Sequence, residues 1–379
     1  MNRLLSRRGA IALIALAAGV AAVSFVLLAR GGEDAVPIPP GPVPTDAASV
    51  PYDPAFAFRQ PIGADPALDP RTDAIAARLA ENRRSGKVFL ASRGEVPPVY
   101  TAAPDSPFYS VEVGGERIRF RVPPDARAGS GADHPLVILD PTHPDYGRDT
   151  ELRLYGAEVD HEARVLRARG AGLFHYNNDG ARLNPDGSRS LAVPFQGSGT
   201  GSGLSILSGL IRPEEVRAGR IDHALRFTYS SADFTSGIRP PAVKTDQPND
   251  TTTRDPASAI DMGTRLQLDP AVDCDARTVP GKPAAGRETQ LLRMICHALQ
   301  DYGMIAVDGT SRDGLILMME NSETAHWPQL VGPERYESYS WIVRDRESGR
   351  DGLSRDDTSG IPWDRFRVLK KTAPPSMES

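Results

Sequence analysis

Glycine and proline punctuate this chain too densely for long helices: 35 Gly and 34 Pro are spread over 379 residues. Each disturbs the regular hydrogen-bond ladder of a helix interior, so the segments between them are short. Within those segments apolar residues recur mostly with period two. Tyr109-Ser-Val-Glu-Val alternates, Gly114-Gly115 marks a turn, and Arg117-Ile-Arg-Phe-Arg-Val alternates again, which is a hairpin signal. Leu136-Val-Ile-Leu is a continuous apolar run suited to a buried strand. The strand pattern continues through Glu151-Leu-Arg-Leu-Tyr, Arg164-Val-Leu-Arg-Ala and Gly172-Leu-Phe-His-Tyr. It is cleanest from Ile221 to Tyr229, where Ile221, His223, Leu225, Phe227 and Tyr229 share one face. Met304-Ile-Ala-Val and Leu315 to Met318 read as a further hairpin, with Asp308-Gly309 and Asp313-Gly314 as turn material. Trp363 to Leu369 reads as a last strand.

Helix signals are few. Asp73 to Arg84 follows Thr72 as N-cap, Pro213 to Ala218 stops at Gly219, and Arg287 to Tyr302 carries an apolar stripe of Leu291, Leu292, Ile295 and Leu299. Hydrophobic residues make up 40% of the chain, enough to build a core. The expected fold class is mainly β: a β-sandwich or jelly-roll-like single domain over residues 71–370, with one or two helices. A transmembrane or signal helix is expected before it over 1–30, a Pro-rich linker over 31–70 and a flexible tail over 371–379. Segments 245–260 and 331–361 are polar and read as loops.

The run from Ala10 to Ala29 carries no charge. At about 1.5 Å per residue it spans roughly 30 Å, the thickness of a bilayer core. Arg3, Arg7 and Arg8 precede it, and Arg30, Glu33 and Asp34 follow. The positive-inside bias then places the rest of the chain outside the cytoplasm. A cleaved signal peptide and an uncleaved anchor both export the chain, and the anchor accounts for the full run better. Val36 to Pro44 reads VPIPPGPVP, a polyproline II spacer. The expected location is periplasmic or cell-surface, with the membrane as a partner through the N-terminal segment. In an oxidising compartment the only two cysteines, Cys274 and Cys296, are expected to form a disulfide. A net charge of −5 gives no general attraction to nucleic acid.

Several phrases carry a resemblance: His134-Pro-Leu-Val-Ile-Leu-Asp140, Gly209-Leu-Ile-Arg-Pro-Glu-Glu-Val216, Ile221-Asp-His-Ala-Leu-Arg-Phe227 and Asp301-Tyr-Gly-Met304. The chain from about 105 to 370 resembles a family of exported, mostly β bacterial proteins with this GLIRPEEV…IDHALRF…DYGM pattern. The resemblance implies export and a β domain, not a reaction. Family members often carry an Arg-His pair after the HALRF strand. Here the matching stretch, Gly237-Ile-Arg-Pro-Pro-Ala-Val-Lys244, has no His.

No G-x-S-x-G or H-E-x-x-H motif is present, and Gly197 to Gly203, GSGTGSG, is a flexible loop or an anion-binding turn. Asp140 ends a buried apolar run and Glu151 lies on an alternating strand. If their strands are neighbours, they are candidates for a two-carboxylate acid/base pair; otherwise the Asp before Pro141 is turn chemistry. His223 is either a general acid or base, or a satisfied structural residue. Arg226, on the opposite face, is a candidate clamp for an acidic or sugar ligand, and His175 and Asn177 share a face suited to sugar binding. His143 and His161 lie beside acids, but no metal or cofactor set is expected. The expected function is to bind or act on an extracellular polysaccharide, by carboxylate acid/base cleavage if it is an enzyme. The alternative is a non-catalytic envelope or adhesion protein.

Overall fold

The structure is a computed structural model, and it describes residue 54 and residues 56–371 apart from 177–181, 184–188, 191–199, 248, 336–337 and 345–357. Ala10 to Ala29, the Pro-rich stretch at Val36 to Pro44 and Asn177 lie outside the described residues. Among the described residues no helix is long and apolar enough to cross a membrane.

The chain is mainly β. Its strands are β1 (Val88–Ala91), β2 (Val99–Thr101), β3 (Phe108–Val113), β4 (Glu116–Arg121), β5 (Leu136–His143), β6 (Gly147–Tyr155), β7 (Glu158–Asp160), β8 (Val165–Ala168) and β9 (Gly170–His175). They continue with β10 (Arg182–Leu183), β11 (Arg189–Ser190), β12 (Leu225–Ser230), β13 (Phe234–Ile238), β14 (Ile260–Met262), β15 (Arg265–Leu268), β16 (Met304–Thr310), β17 (Leu315–Met318) and β18 (Phe366–Val368). The longer helices are α1 (Thr72–Arg84), α2 (Pro213–Ala218) and α3 (Arg287–Asp301); α4 (Ser322–Ala325), α5 (Trp327–Leu330) and α6 (Ser340–Val343) are single turns. One six-stranded sheet has the order β1-β17-β12-β16-β15-β18, a second has β11-β10-β9-β6-β5-β2, and a four-stranded sheet has β4-β3-β8-β7.

Three cores stack these sheets into layers. Val137 and Leu139 of β5 meet Ile305 and Val307 of β16, so the two six-stranded sheets face each other. The outer face of the first sheet, with Leu225, Phe227 and Tyr229, is covered by α1 and α3 through Leu79, Leu291, Ile295 and Leu299. The outer face of the second, with Leu136, Ile138 and Leu152, is covered by Val111, Phe120 and Leu166 of the four-stranded sheet. Leu136 to Leu139 shows no alternation because its odd and even residues enter two different cores.

The hairpin expected at Tyr109 forms between β3 and β4, with Gly114 and Gly115 both at positive φ, as the tight two-residue turn requires. The hairpin expected between 304–307 and 315–318 does not form. β12 lies between them, parallel to β16 and antiparallel to β17. β12 is buried along its whole length, and such a strand gains most at the centre of a sheet. Parallel pairing also joins β1 to β17, β2 to β5 and β3 to β8, which interrupts the antiparallel ladder of a jelly roll. Phe56 and Phe58 fall within the stretch read as linker, yet both are buried in the core between the six-stranded sheets. The Ala224 amide donates to the Phe58 carbonyl at 2.7 Å.

Cys274 and Cys296 form a disulfide that ties the turn after β15 to α3. It closes a loop of sequence separation 22. The Cys274→Ser/Cys296→Ser protein is expected to lose about 3 kcal/mol of unfolding free energy by the loop-entropy relation. Urea unfolding of the two proteins checks this; a loss under about 1 kcal/mol would show that the bridge constrains little.

Candidate ligand-binding cleft

The register of the first sheet builds the site. Thr228 of β12 pairs with Asp308 of β16 on one side and with Ile316 of β17 on the other, and Ile316 pairs with Phe89 of β1. Residues in register share a face, so Asp308, Thr228, Ile316 and Phe89 form a row across the sheet, about 15 Å long at the usual strand spacing. This is the face turned toward the second six-stranded sheet. At Phe89, Ala91, Ile316 and Met318 it is open as the floor of a cleft of ≈ 970 Å³.

Arginines and aromatics dominate one part of the lining. The Arg344 and Arg312 guanidinium carbons lie 4.9 and 5.2 Å from the Phe89 ring centroid. Arg335 lies 4.4 Å from the Trp341 ring centroid. Stacking holds a guanidinium by its face and leaves its N–H edge for an acceptor. Among the described residues no carboxylate pairs with Arg312, Arg335 or Arg344, although Arg344 Nε donates to the Val88 carbonyl at 2.7 Å, and the buried Trp341 Nε1 has no hydrogen-bond partner. Arg93, also in the lining, is paired with Glu334 at 2.6 Å. The acidic lining residue Glu95 accepts the Ala132 and Asp133 amides.

At the other end of the row, Asp308 and Asp246 converge on Gly201. A Cβ on Gly201 would meet the Asp246 carboxylate at 2.7 Å and Asp308 Oδ1 at 2.9 Å. Gly201 N donates to Asp308 Oδ1 at 2.9 Å, and Gly309 N donates to Asp246 Oδ2 at 3.1 Å. Burial pushes the Asp308 carboxyl up to about 6. The Gly201 amide opposes this, the Asp246 charge adds to it, and Arg226 and Arg153 oppose it. Asp308 is half-buried.

The structure does not join Asp140 and Glu151 as an acid/base pair. Their strands are neighbours, but Glu151 pairs with Leu139 while Asp140 pairs with Thr150, so the two side chains leave opposite faces of one sheet. Asp140 is fully buried and ion-paired with Arg121 at 3.0 Å. Glu151 is fully buried and accepts from Ser205 Oγ. Arg226 is also fully buried, and its Nη1 donates to the carbonyls of Ser205 and Ile206. Glu151 and Arg226 thus meet in one network around Ser205, inside the protein. His175, at the end of β9, donates from Nδ1 to the Arg148 carbonyl at 3.0 Å and does not line the cleft. His143 packs against Phe120 and Tyr146, and burial pulls its pKa down. His161 is held by Tyr109 and the Ala126 carbonyl. Among the described residues no group of three or more His, Cys, Asp or Glu is placed to hold a metal ion.

His223 precedes β12 rather than lying in it, because it turns toward α2. Its Nε2 is 2.9 Å from Glu215 Oε1, and its Nδ1 is 2.8 Å from the Ala224 carbonyl. Both partners accept, which suits an imidazolium buried in the core rather than a group at a groove. Burial disfavours the charge, but the Glu215 carboxylate outweighs it and the pKa is raised. A raised folded-state pKa gives stability that is full below the unfolded value of about 6.5 and is lost as pH rises through the folded value. The stability gap between the native protein and His223→Gln is therefore expected to narrow as pH rises above neutrality. Unfolding free energies between pH 6 and 9 check this, and a gap that widens would assign the pair the opposite charge state.

No protein-family model, no curated protein and no solved structure matches this chain. The cleft is therefore read from its own chemistry. Sequence inspection missed its residues for identifiable reasons. Arg335 and Arg344 lie in a polar stretch that reads as loop, and Arg312 lies beside the turn material Asp313-Gly314. Gly201 sat in a glycine run whose obvious meaning was flexibility, whereas its role is to admit two carboxylates where a Cβ would clash.

Proposed function

We propose that this protein is an exported polysaccharide-binding protein whose cleft takes an anionic glycan chain. The observation that carries the reading is the set of three stacked guanidiniums, Arg312, Arg335 and Arg344, without carboxylate partners among the described residues, beside the half-buried rings of Phe89 and Trp341. Arginine matches carboxylate and sulfate groups through paired N–H donors. Aromatic rings match the apolar faces of sugars. The uncharged run at Ala10 to Ala29 supports export, and the facing six-stranded sheets support a sandwich scaffold that leaves one end of the inter-sheet gap open. The separation of Asp140 from Glu151 favours binding over cleavage at those two residues.

Calorimetric titration with oligomers of galacturonate, alginate and hyaluronan, against neutral maltohexaose, tests the reading. It predicts binding of at least one anionic oligomer, weakened by salt, and none of the neutral one. Equal binding of maltohexaose would remove the charge argument.

A further inference from the structure

We propose that the two carboxylates around Gly201 form a pH-sensitive clasp on one wall of the arginine cleft: while Asp308 carries a proton, Asp246 holds that wall in place, and loss of the proton loosens the wall and weakens ligand binding. The inference rests on the glycan-binding reading above and adds a regulation to the same site. Asp308, Gly309 and Thr310 end β16, and Gly309, Thr310, Ser311 and Arg312 line the cleft. Arg312 in turn stacks on Phe89. At this end β16 pairs with β12 alone, because its pairing with β15 covers only Met304 and Ile305. The pairing with β12 also shifts register between Phe227 and Thr228, and such an irregularity interrupts the ladder. Two hydrogen bonds hold the strand end from outside the sheet. The Gly309 amide donates to Asp246 Oδ2 at 3.1 Å, and the Gly201 amide donates to Asp308 Oδ1 at 2.9 Å.

The composition of the clasp makes it sensitive to protons. Both carboxylates close on the place a Gly201 Cβ would occupy, the Asp246 carboxylate at 2.7 Å and Asp308 Oδ1 at 2.9 Å. Two carboxylates sharing one place favour a state with only one of them ionised. The charged groups facing Asp308 are Asp246, Arg226 of β12 and Arg153 of β6, and Glu151 of β6 lies beside Arg153. Burial is the largest influence and pushes the Asp308 carboxyl up to about 6, with the Gly201 amide and the two arginines opposing it and the Asp246 charge adding to it. A folded value above the unfolded one of about 3.9 means that the folded clasp keeps a proton the unfolded chain has lost. The stability this supplies is full below about pH 4 and is lost as pH rises through the folded value of about 6. Above it, two negative charges face each other across Gly201. Asp246 relieves the repulsion by moving away, and the Gly309 hydrogen bond goes with it. Arginines and sugar carboxylates stay charged across this range, so the change in affinity comes from the wall and not from the ligand.

Hydrogen exchange of the Gly201 and Gly309 amides, corrected for the intrinsic pH dependence of exchange, is measured on the purified protein from about pH 5 to 8. Affinity for galacturonate, alginate and hyaluronan oligomers is measured across the same range. Protection of both amides and affinity for the oligomer that binds are each expected to fall about tenfold or more from the acid to the alkaline end, the effect of one pKa unit or more of differential proton binding. Asp308→Asn keeps an acceptor for the Gly201 amide and cannot ionise, so both quantities are expected to hold their acid values throughout. Asp246→Asn removes the repelling charge, and the midpoint of the fall is expected to move to lower pH. Protection that does not change with pH, or that falls equally in Asp308→Asn, overturns the clasp. Protection that falls while affinity stays level overturns its control of the cleft. If no anionic oligomer binds even at the acid end, the binding reading fails, and exchange alone decides whether the clasp stands.

Discussion

Arg226→Met is expected to cost about 3–5 kcal/mol of folding stability, because it breaks one side of a buried charge network. Arg226 lies in the middle of β12 with no exposed surface. Its guanidinium caps the Ser205 and Ile206 carbonyls, and Ser205 in turn donates to the buried Glu151. Removing the cation leaves two carbonyls short of a donor and the Glu151 and Asp308 charges less balanced. Such a loss is a large part of the about 5–15 kcal/mol that holds an ordinary domain together. A surface clamp for a ligand would behave in the opposite way, weakening affinity while sparing stability. Urea unfolding separates the two. A stability loss under about 1 kcal/mol with a large drop in glycan affinity would return Arg226 to the ligand site.

Arg312→Ala/Arg335→Ala is expected to weaken binding of the preferred anionic oligomer about 100-fold or more. Charge-assisted hydrogen bonds contribute about 1.5–3 kcal/mol each, so the loss of two reaches that factor. Both residues are exposed, and each stacks on an aromatic ring instead of bridging to an acid. Their removal is therefore expected to change stability by no more than about 0.5 kcal/mol. Calorimetry at two salt concentrations provides the check. The double variant should bind weakly with a shallower salt dependence, whereas unchanged affinity would place the glycan outside the cleft.

The layered β scaffold was legible where one residue pattern had one explanation. The Tyr109 hairpin, the two-faced run at Leu136, helices α2 and α3 and the Cys274–Cys296 pair all follow from local chemistry. Strand order was not legible, because nothing in Met304 to Met318 announces that β12 will pass between its two strands. The site was the least legible part. Asp140, Glu151, His223 and Arg226 were conspicuous because charged residues in apolar strands are unusual. In the fold each is satisfied by another buried group, which is the common reason such residues persist in a core. The residues of the cleft come from separated stretches, around 89, 95, 312 and 341, each ordinary by itself. Only the register of β1 on β17 places Phe89 beside Ile316 on its floor.

An anionic glycan is expected to lie in the cleft over Phe89 and Ile316, and a crystal structure of the protein soaked with a galacturonate oligomer tests this most directly. Sugar carboxylates are expected within hydrogen-bond distance of Arg312, Arg335 or Arg344, with a sugar face against Phe89 or Trp341. An oligomer bound on another surface, with these arginines unchanged and unoccupied, would contradict it.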